Sequence, residues 1–196
     1  MSVVHILSIR SILGLSLFIT FATFLLWPAA SMENLGGKSN PIDRLRVTLQ
    51  QTKTSPLTIT STVFNGNLYP VTLLLYRSPL DTAAPTIGLL TVTPDGSAQP
   101  LELPRLQLRR EWPPKPESLV QIDPGESQSA DIVLREFITS QLEKKAFVVL
   151  KGTWDMVWRK AKGEVTVELL EQAEKQPDPD MFTGEFSTDS IEITVA

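Results

Sequence analysis

The stretch Ser118-Leu119-Val120-Gln121-Ile122-Asp123-Pro124-Gly125-Glu126-Ser127 constrains this chain more than any other. Proline pre-sets φ near −65° and glycine supplies the positive φ that a tight turn requires. Apolar Leu119, Val120 and Ile122 lead into the turn, and Ala130, Ile132 and Leu134 leave it at every second position. That spacing is the period of a half-buried strand. Strand, tight turn and strand in this form point to an antiparallel sandwich.

The remainder of the chain agrees. Leu45, Val47 and Leu49 alternate with polar residues until Thr54-Ser55-Pro56 breaks the run. Residues 57–64 alternate again and end at Asn65-Gly66-Asn67, a strong turn signal. Residues 71–76 are nearly all apolar, which suits a strand buried on both faces. These three are expected to form a meander. Residues 86–93 give another strand, closed by Pro94-Asp95-Gly96, and Leu101, Leu103, Leu106 and Leu108 mark further extended chain. Pro104 within it demands an edge or a bend, because it cannot donate to a ladder. Residues 109–116, with three prolines, form a semi-rigid crossover.

Residues 136–145 fit one short helix, with Phe137 and Gln141, and Ile138 and Leu142, four apart. A long strand follows from Phe147 to Trp158, and period two places Trp154, Met156 and Trp158 on one face. Residues 165–170 fit strand or helix, residues 172–180 a loop, and residues 190–195 a final strand. Fifteen prolines and ten glycines spread over 196 residues accommodate this many short elements. The expected fold is mainly all-β: an antiparallel immunoglobulin-like β-sandwich over residues 44–196 with one short helix. With no cysteine, "immunoglobulin-like" is here a statement of architecture alone.

Ahead of the sandwich, Arg10 precedes an apolar run over residues 11–27, and Pro28-Ala29-Ala30-Ser31 offers small residues for cleavage after Ser31. Residues 1–31 therefore read as an apolar leader helix of the secretory signal type. Its retention as a signal-anchor is the alternative. In the first case the protein is secreted; in the second it is a single-pass membrane-anchored ectodomain, and only then does a membrane become a partner. Residues 32–43, with Gly36-Gly37, Asn40 and Pro41 and no apolar period, read as a flexible linker.

Composition excludes much chemistry. No cysteine and a single histidine, His5 in the leader, leave no thiolate site, no His-dependent triad and none of the usual zinc ligand sets. A formal charge of −4 gives no basic footprint for nucleic acid. No cofactor is expected, and the chain reads as non-enzymatic. A carboxylate-based hydrolase would require two acids facing each other across a pocket. Asp123, Glu126 and Asp131 lack the dense oxygen pattern of a calcium loop.

Several segments, in order, resemble the N-terminal pro-region of the deuterolysin family of fungal secreted zinc endopeptidases. They include Leu45-Arg46-Val47-Thr48-Leu49, Ile59-Thr60-Ser61-Thr62-Val63-Phe64-Asn65-Gly66, Val92-Thr93-Pro94-Asp95-Gly96, Ile122-Asp123-Pro124-Gly125-Glu126-Ser127 and Gly152-Thr153-Trp154. The HExxH helix of the catalytic half is absent, so no zinc or catalytic residue carries over. The resemblance implies binding rather than chemistry, with a secreted protease or another protein as partner. The candidate partner-binding residues are Arg109, Arg110 and Trp112 in the proline-rich crossover, where loops on a rigid sandwich carry recognition, and Trp154 and Trp158 on the long strand.

Overall fold

The computed structural model describes residues 39–173, 175–176 and 178–195. The leader assigned to residues 1–31 and most of the linker assigned to 32–43 lie outside the described residues. The end of that linker is part of the fold. Asn40 caps a 3-10 turn over Pro41–Arg44, its Oδ1 accepting the Ile42 N–H at 3.0 Å. Pro41 is buried and Ile42 packs against the core, so apolar contact orders a segment whose composition suggested a spacer.

Nine strands are found among the described residues: β1 (Leu45–Thr54), β2 (Leu57–Asn65), β3 (Val71–Leu74), β4 (Leu90–Pro94), β5 (Leu119–Ile122), β6 (Ser127–Val133), β7 (Lys145–Trp158), β8 (Met181–Ser187) and β9 (Ile191–Thr194). The small sheet has the order β1-β2-β6. The large sheet is organised on β7. Its first half lies between β4 and β9, its second between β3 and β8, and β5 lies outside β3. All pairings are antiparallel. Three short α-helices, α1 (Ala84–Ile87), α2 (Glu136–Thr139) and α3 (Val167–Ala173), and two further 3-10 turns, Pro116–Ser118 and Lys162–Glu164, complete the elements of the described residues.

The expected sandwich is present, and its wiring corrects the simple meander. β1 and β2 form a hairpin, with Leu49 opposite Ser61. β3 then leaves for the large sheet, and β6 takes the place beside β2. The reason is burial: all four residues of β3 are covered, which requires a position with packing on both faces. The Asp123-Pro124-Gly125 turn likewise does not close a hairpin. It carries the chain from β5 in the large sheet to β6 in the small one, with Gly125 at φ +76°. Buried Asn65 holds this corner. Its Nδ2 donates to Tyr69 O (3.0 Å) and Ile122 O (2.9 Å), and its Oδ1 accepts from Asn67 N–H and Nδ2 (both 2.9 Å).

Local signals account for the other differences. The strand expected over 86–93 starts only at Leu90, because α1 is ended by Gly88 at φ +80°. The helix expected over 136–145 is the single turn α2, and Lys145 already belongs to β7. Residues 165–170 resolve towards helix, as α3. β8 falls within a span given no element by the sequence reading. Only Phe186 is buried along it, and Gly184 makes room for Ile42, whose Cδ1 would stand 3.0 Å from an added Cβ.

The core lies between the sheets. Leu57, Ile59, Val63 and Ile132 from the small sheet meet Val71, Leu73, Val92, Val148, Leu150, Val157 and Ile193 from the large one. Trp154 packs among them, tilted against Phe186 with ring centroids 5.3 Å apart. A second apolar cluster, Leu74, Leu119, Trp158, Val165 and Leu170, brings α3 onto the other face of the large sheet.

Candidate functional site

β7 opens the site. On one edge it is paired by β4 up to Leu90 opposite Leu150, and Lys151 N–H still donates to Leu89 O at 2.9 Å. β3 joins the same edge only at Leu73 opposite Val157. Residues 152–156 therefore have no strand beside them on that edge. Opposite, in the pairing with β8, the register shifts between Trp154 and Val157. Three residues of β7 there span two of β8, the signature of a β-bulge, which commonly re-aims side chains.

The bulge corrects the expected aromatic stripe. Trp154 and Val157 point into the main core, whereas Met156 and Trp158 join the cluster on the opposite face. One extra residue shifts the two-residue phase, so Trp154, Met156 and Trp158 do not share a face. Trp154 is 2% exposed and Trp158 0%. Neither is available to a partner, and both serve the two cores.

Over the unpaired part of β7 lies a groove of about 670 Å³. Leu74, Tyr76, Ile87 and Met156 contribute apolar lining, Asp155 lines it from β7 and Arg77 from the chain after β3, and Leu106, Leu108, Arg110 and Trp112 line it from residues 105–112. This last segment is a strap. It continues an extended course without a turn or bend over residues 101–111, tied by Leu101 N–H to Val92 O (2.8 Å) and Leu106 N–H to Thr86 O (2.9 Å). A second hollow of about 290 Å³ lies across it, lined by Leu106 and Leu108 together with Val133, Arg135 and Phe137. Leu106, Leu108, Trp112, Val133 and Phe137 are all exposed, Leu106 by 56%. Large apolar side chains gathered at one place are informative where a scattered few are not.

Arg110 anchors the strap. Its Nη2 donates to Asp81 Oδ2 at 2.7 Å, and its guanidinium carbon lies 4.9 Å from the centre of the Tyr76 ring. Asp81, only 6% exposed, also accepts the N–H groups of Arg77 (2.9 Å) and Ala83 (3.0 Å). Arg77 holds an uncommon left-handed backbone (φ +57°) and reaches Asp155 at 3.5 Å. Burial of Asp155 pushes its carboxyl above the ordinary range, and the facing Arg77 offsets part of that rise. Of the five candidate residues, Arg110 and Trp112 line the groove; Arg109 lies between Leu108 and Arg110 on the exposed strap and does not.

Leu106, Leu108, Val133 and Phe137 were missed as site residues. For Leu106 and Leu108 the sequence carries a signal: leucines alternating through a segment with no ladder must expose something. Other polar clusters are satisfied locally. Arg159 and Lys160 pair with Asp180 and Asp178, Asp123 accepts from Gln121, and Asp131 accepts from Thr60. Among the described residues there is no group of three or more His, Cys, Asp or Glu placed to hold a metal. No helix of the described residues is long and apolar enough to cross a membrane.

These features define the class: a cysteine-free antiparallel β-sandwich, wired around one long strand, with an arginine-bordered apolar groove on one side. The chain belongs to the immunoglobulin-like domain family, whose model matches residues 44–195. It is also 29% identical, over 143 residues, to a protein of Arthroderma benhamiae named "Uncharacterized secreted protein". That match covers 71% of this chain and 69% of the relative.

Proposed function

We propose that this is a secreted, non-catalytic protein-binding module that docks its partner in the groove between the strap and β7. The observation that carries the reading is the clustering of Leu106, Leu108 and Trp112 on the groove, next to the immobilised Arg110. Exposed aromatic and arginine anchors at an apolar hollow are the residue types that dominate protein interfaces. The name of the Arthroderma relative supports an extracellular location. The resemblance of its sequence words to the deuterolysin pro-region suggests the finer identity, a folding assistant or inhibitor of a secreted metalloprotease, and this rests on that resemblance alone.

The test is capture from the culture medium of the producing organism, with the wild-type protein and the variant Leu108→Glu side by side. A stoichiometric protein held by the wild type and released by the variant supports the reading, and a metalloprotease among the captured proteins supports its finer form. Recovery of no stoichiometric protein, or equal recovery by both, overturns it.

A further inference from the structure

We infer that the groove receives an extended, acidic segment of the partner as an added strand; this deepens the binding reading above and depends on it. Two stretches of unpaired backbone border the groove. One is β7 over residues 152–156, where β4 has ended and β3 has not begun, and of which Asp155 and Met156 line the groove. Lys151 N–H points to this edge, where it donates to Leu89 O just before the gap, so strand alternation turns the main-chain groups of Thr153 the same way. The other is the strap. None of the main-chain groups of residues 107–113 has a hydrogen-bond partner among the described residues.

Leu106 N–H is spent on Thr86. In extended chain successive residues present their N–H and C=O to opposite edges, so Arg105, Gln107, Arg109 and Glu111 offer theirs to the other edge. Seven residues of such an edge run for roughly 20 Å or a little more. This is the geometry of peptide recognition by strand addition, in which main-chain bonds give affinity and side-chain hollows give specificity. Leu106 and Leu108, each lining a hollow on both sides of the strap, supply the apolar contacts.

Charge selects the occupant. Five of the nine arginines of a chain with net charge −4 lie on or beside the strap: Arg77, Arg105, Arg109, Arg110 and Arg135. Asp81 and Asp155 answer Arg110 and Arg77, and Glu111 pairs with Lys115. Arg105, Arg109 and Arg135 have no ion-pair partner among the described residues. A second copy of this chain is the poorer match, because its strap brings the same excess of positive charge, three arginines to one glutamate over residues 105–111, against its like. The leader does not fit, since residues 1–32 contain no carboxylate side chain. An acidic strand with apolar residues at alternate positions complements both the charge and the hollows.

The experiment uses the purified full-length protein and an acetylated, amidated heptapeptide of alternating glutamate and valine. Its controls are the same peptide with lysine for glutamate, and two isomers N-methylated on one or the other set of alternate residues. Tryptophan fluorescence, with Trp112→Phe measured in parallel to assign the change to Trp112, reports occupancy, and hydrogen exchange over residues 105–112 and 151–156 reports main-chain pairing. The expected result is a fluorescence change and slowed exchange with the acidic peptide. Binding of the lysine peptide should be at least tenfold weaker, and at least one N-methylated isomer should lose tenfold. Equal binding of all peptides, or a fluorescence change with unaltered exchange, overturns strand addition but leaves the groove as a binding site. No response to the acidic peptide overturns the inference, while capture by the wild type and not by Leu108→Glu independently decides the binding reading.

Discussion

Replacing Asp81 by alanine tests whether one buried carboxylate holds the strap to the sandwich. The side chain is 6% exposed and accepts three donors: Arg77 N–H, Ala83 N–H and Arg110 Nη2. Hydrogen bonds to a charged group contribute about 1.5–3 kcal/mol each, and the truncation also strands donors that water does not fully reach. Arg110 is about one-third exposed, so its share is discounted to about 1 kcal/mol. Counting about 1.5 kcal/mol for each backbone donor, the expected loss is about 4 kcal/mol. That is a large part of the roughly 5–15 kcal/mol that stabilises a domain. With a urea slope of about 2 kcal/mol per molar, the unfolding midpoint falls by about 2 M. Asp81→Asn should cost about half as much, because the amide oxygen can keep the two donors on Oδ2 while its nitrogen faces the Ala83 N–H. Arg110→Met, which keeps the stem over Tyr76, should cost only about 1 kcal/mol. The assay is equilibrium urea unfolding followed by the fluorescence of buried Trp154 and Trp158. A loss below 1 kcal/mol for Asp81→Ala would falsify the assignment of Asp81 as the anchor.

Further outcomes follow from single sites. Trp154→Ala should cost about 3–5 kcal/mol, as for other buried aromatic truncations, whereas Trp112→Ala should cost below about 1 kcal/mol and abolish partner capture; urea curves on the two proteins separate core from surface. Gly88→Ala forces a Cβ onto φ +80° and to 2.7 Å from Arg105 Nε. The arginine end can shift, so the cost is the backbone term of about 1–2 kcal/mol, read as a lowered melting temperature. Asp155 carries a folded-state carboxyl whose pKa lies above its unfolded value, chiefly through burial. The charged form therefore costs stability at neutral pH, and the cost disappears as pH falls through the folded pKa towards the ordinary carboxylate range. Asp155→Asn should melt higher than wild type at pH 7, with the gap closing in acid; an unchanged gap across that range would contradict the assignment.

The fold class was legible because alternation and turn chemistry act locally. Leu45, Val47 and Leu49 in β1 and Leu57, Ile59 and Val63 in β2 show the period directly. Pairing was not legible, since it depends on surfaces far apart in the chain. Nothing within Val71-Thr72-Leu73-Leu74 says that β3 leaves β2, although its unbroken apolarity already demands cover on both faces. The phase slip that separates Trp154 from Trp158 has no local signal: it arises where three residues of β7 meet two of β8. The proline-rich crossover contributes Arg110 and Trp112 to the groove, yet four of the exposed apolar residues gathered there lie outside it. Leu106 and Leu108 sit before it, Val133 follows β6's buried Ile132 and Phe137 lies in α2; only the folded chain gathers them around the strap.

A sandwich without cysteine needs other ties between its sheets, and side-chain amides provide two. Gln51 on β1 donates Nε2 to Thr194 O at 2.7 Å and accepts Thr194 N–H at Oε1 at 2.8 Å, so its amide pairs with β9 as a strand residue does. Asn65 at the end of β2 bonds to Ile122 O of β5. These ties join the sheets at separate places along their length, and the core fills the space between. Neither involves residues 105–112. The strap is attached to this frame by a different set of contacts: Thr86 O, Val92 O, Asp81 and the Tyr76 ring. Loss of the Asp81–Arg110 contact should therefore release the groove wall while the sheet-to-sheet ties persist. Hydrogen exchange on Arg110→Met can resolve the two: faster exchange at residue 106 with unchanged protection at residue 194 is expected, and equal loss at both would show that strap and frame are one cooperative unit.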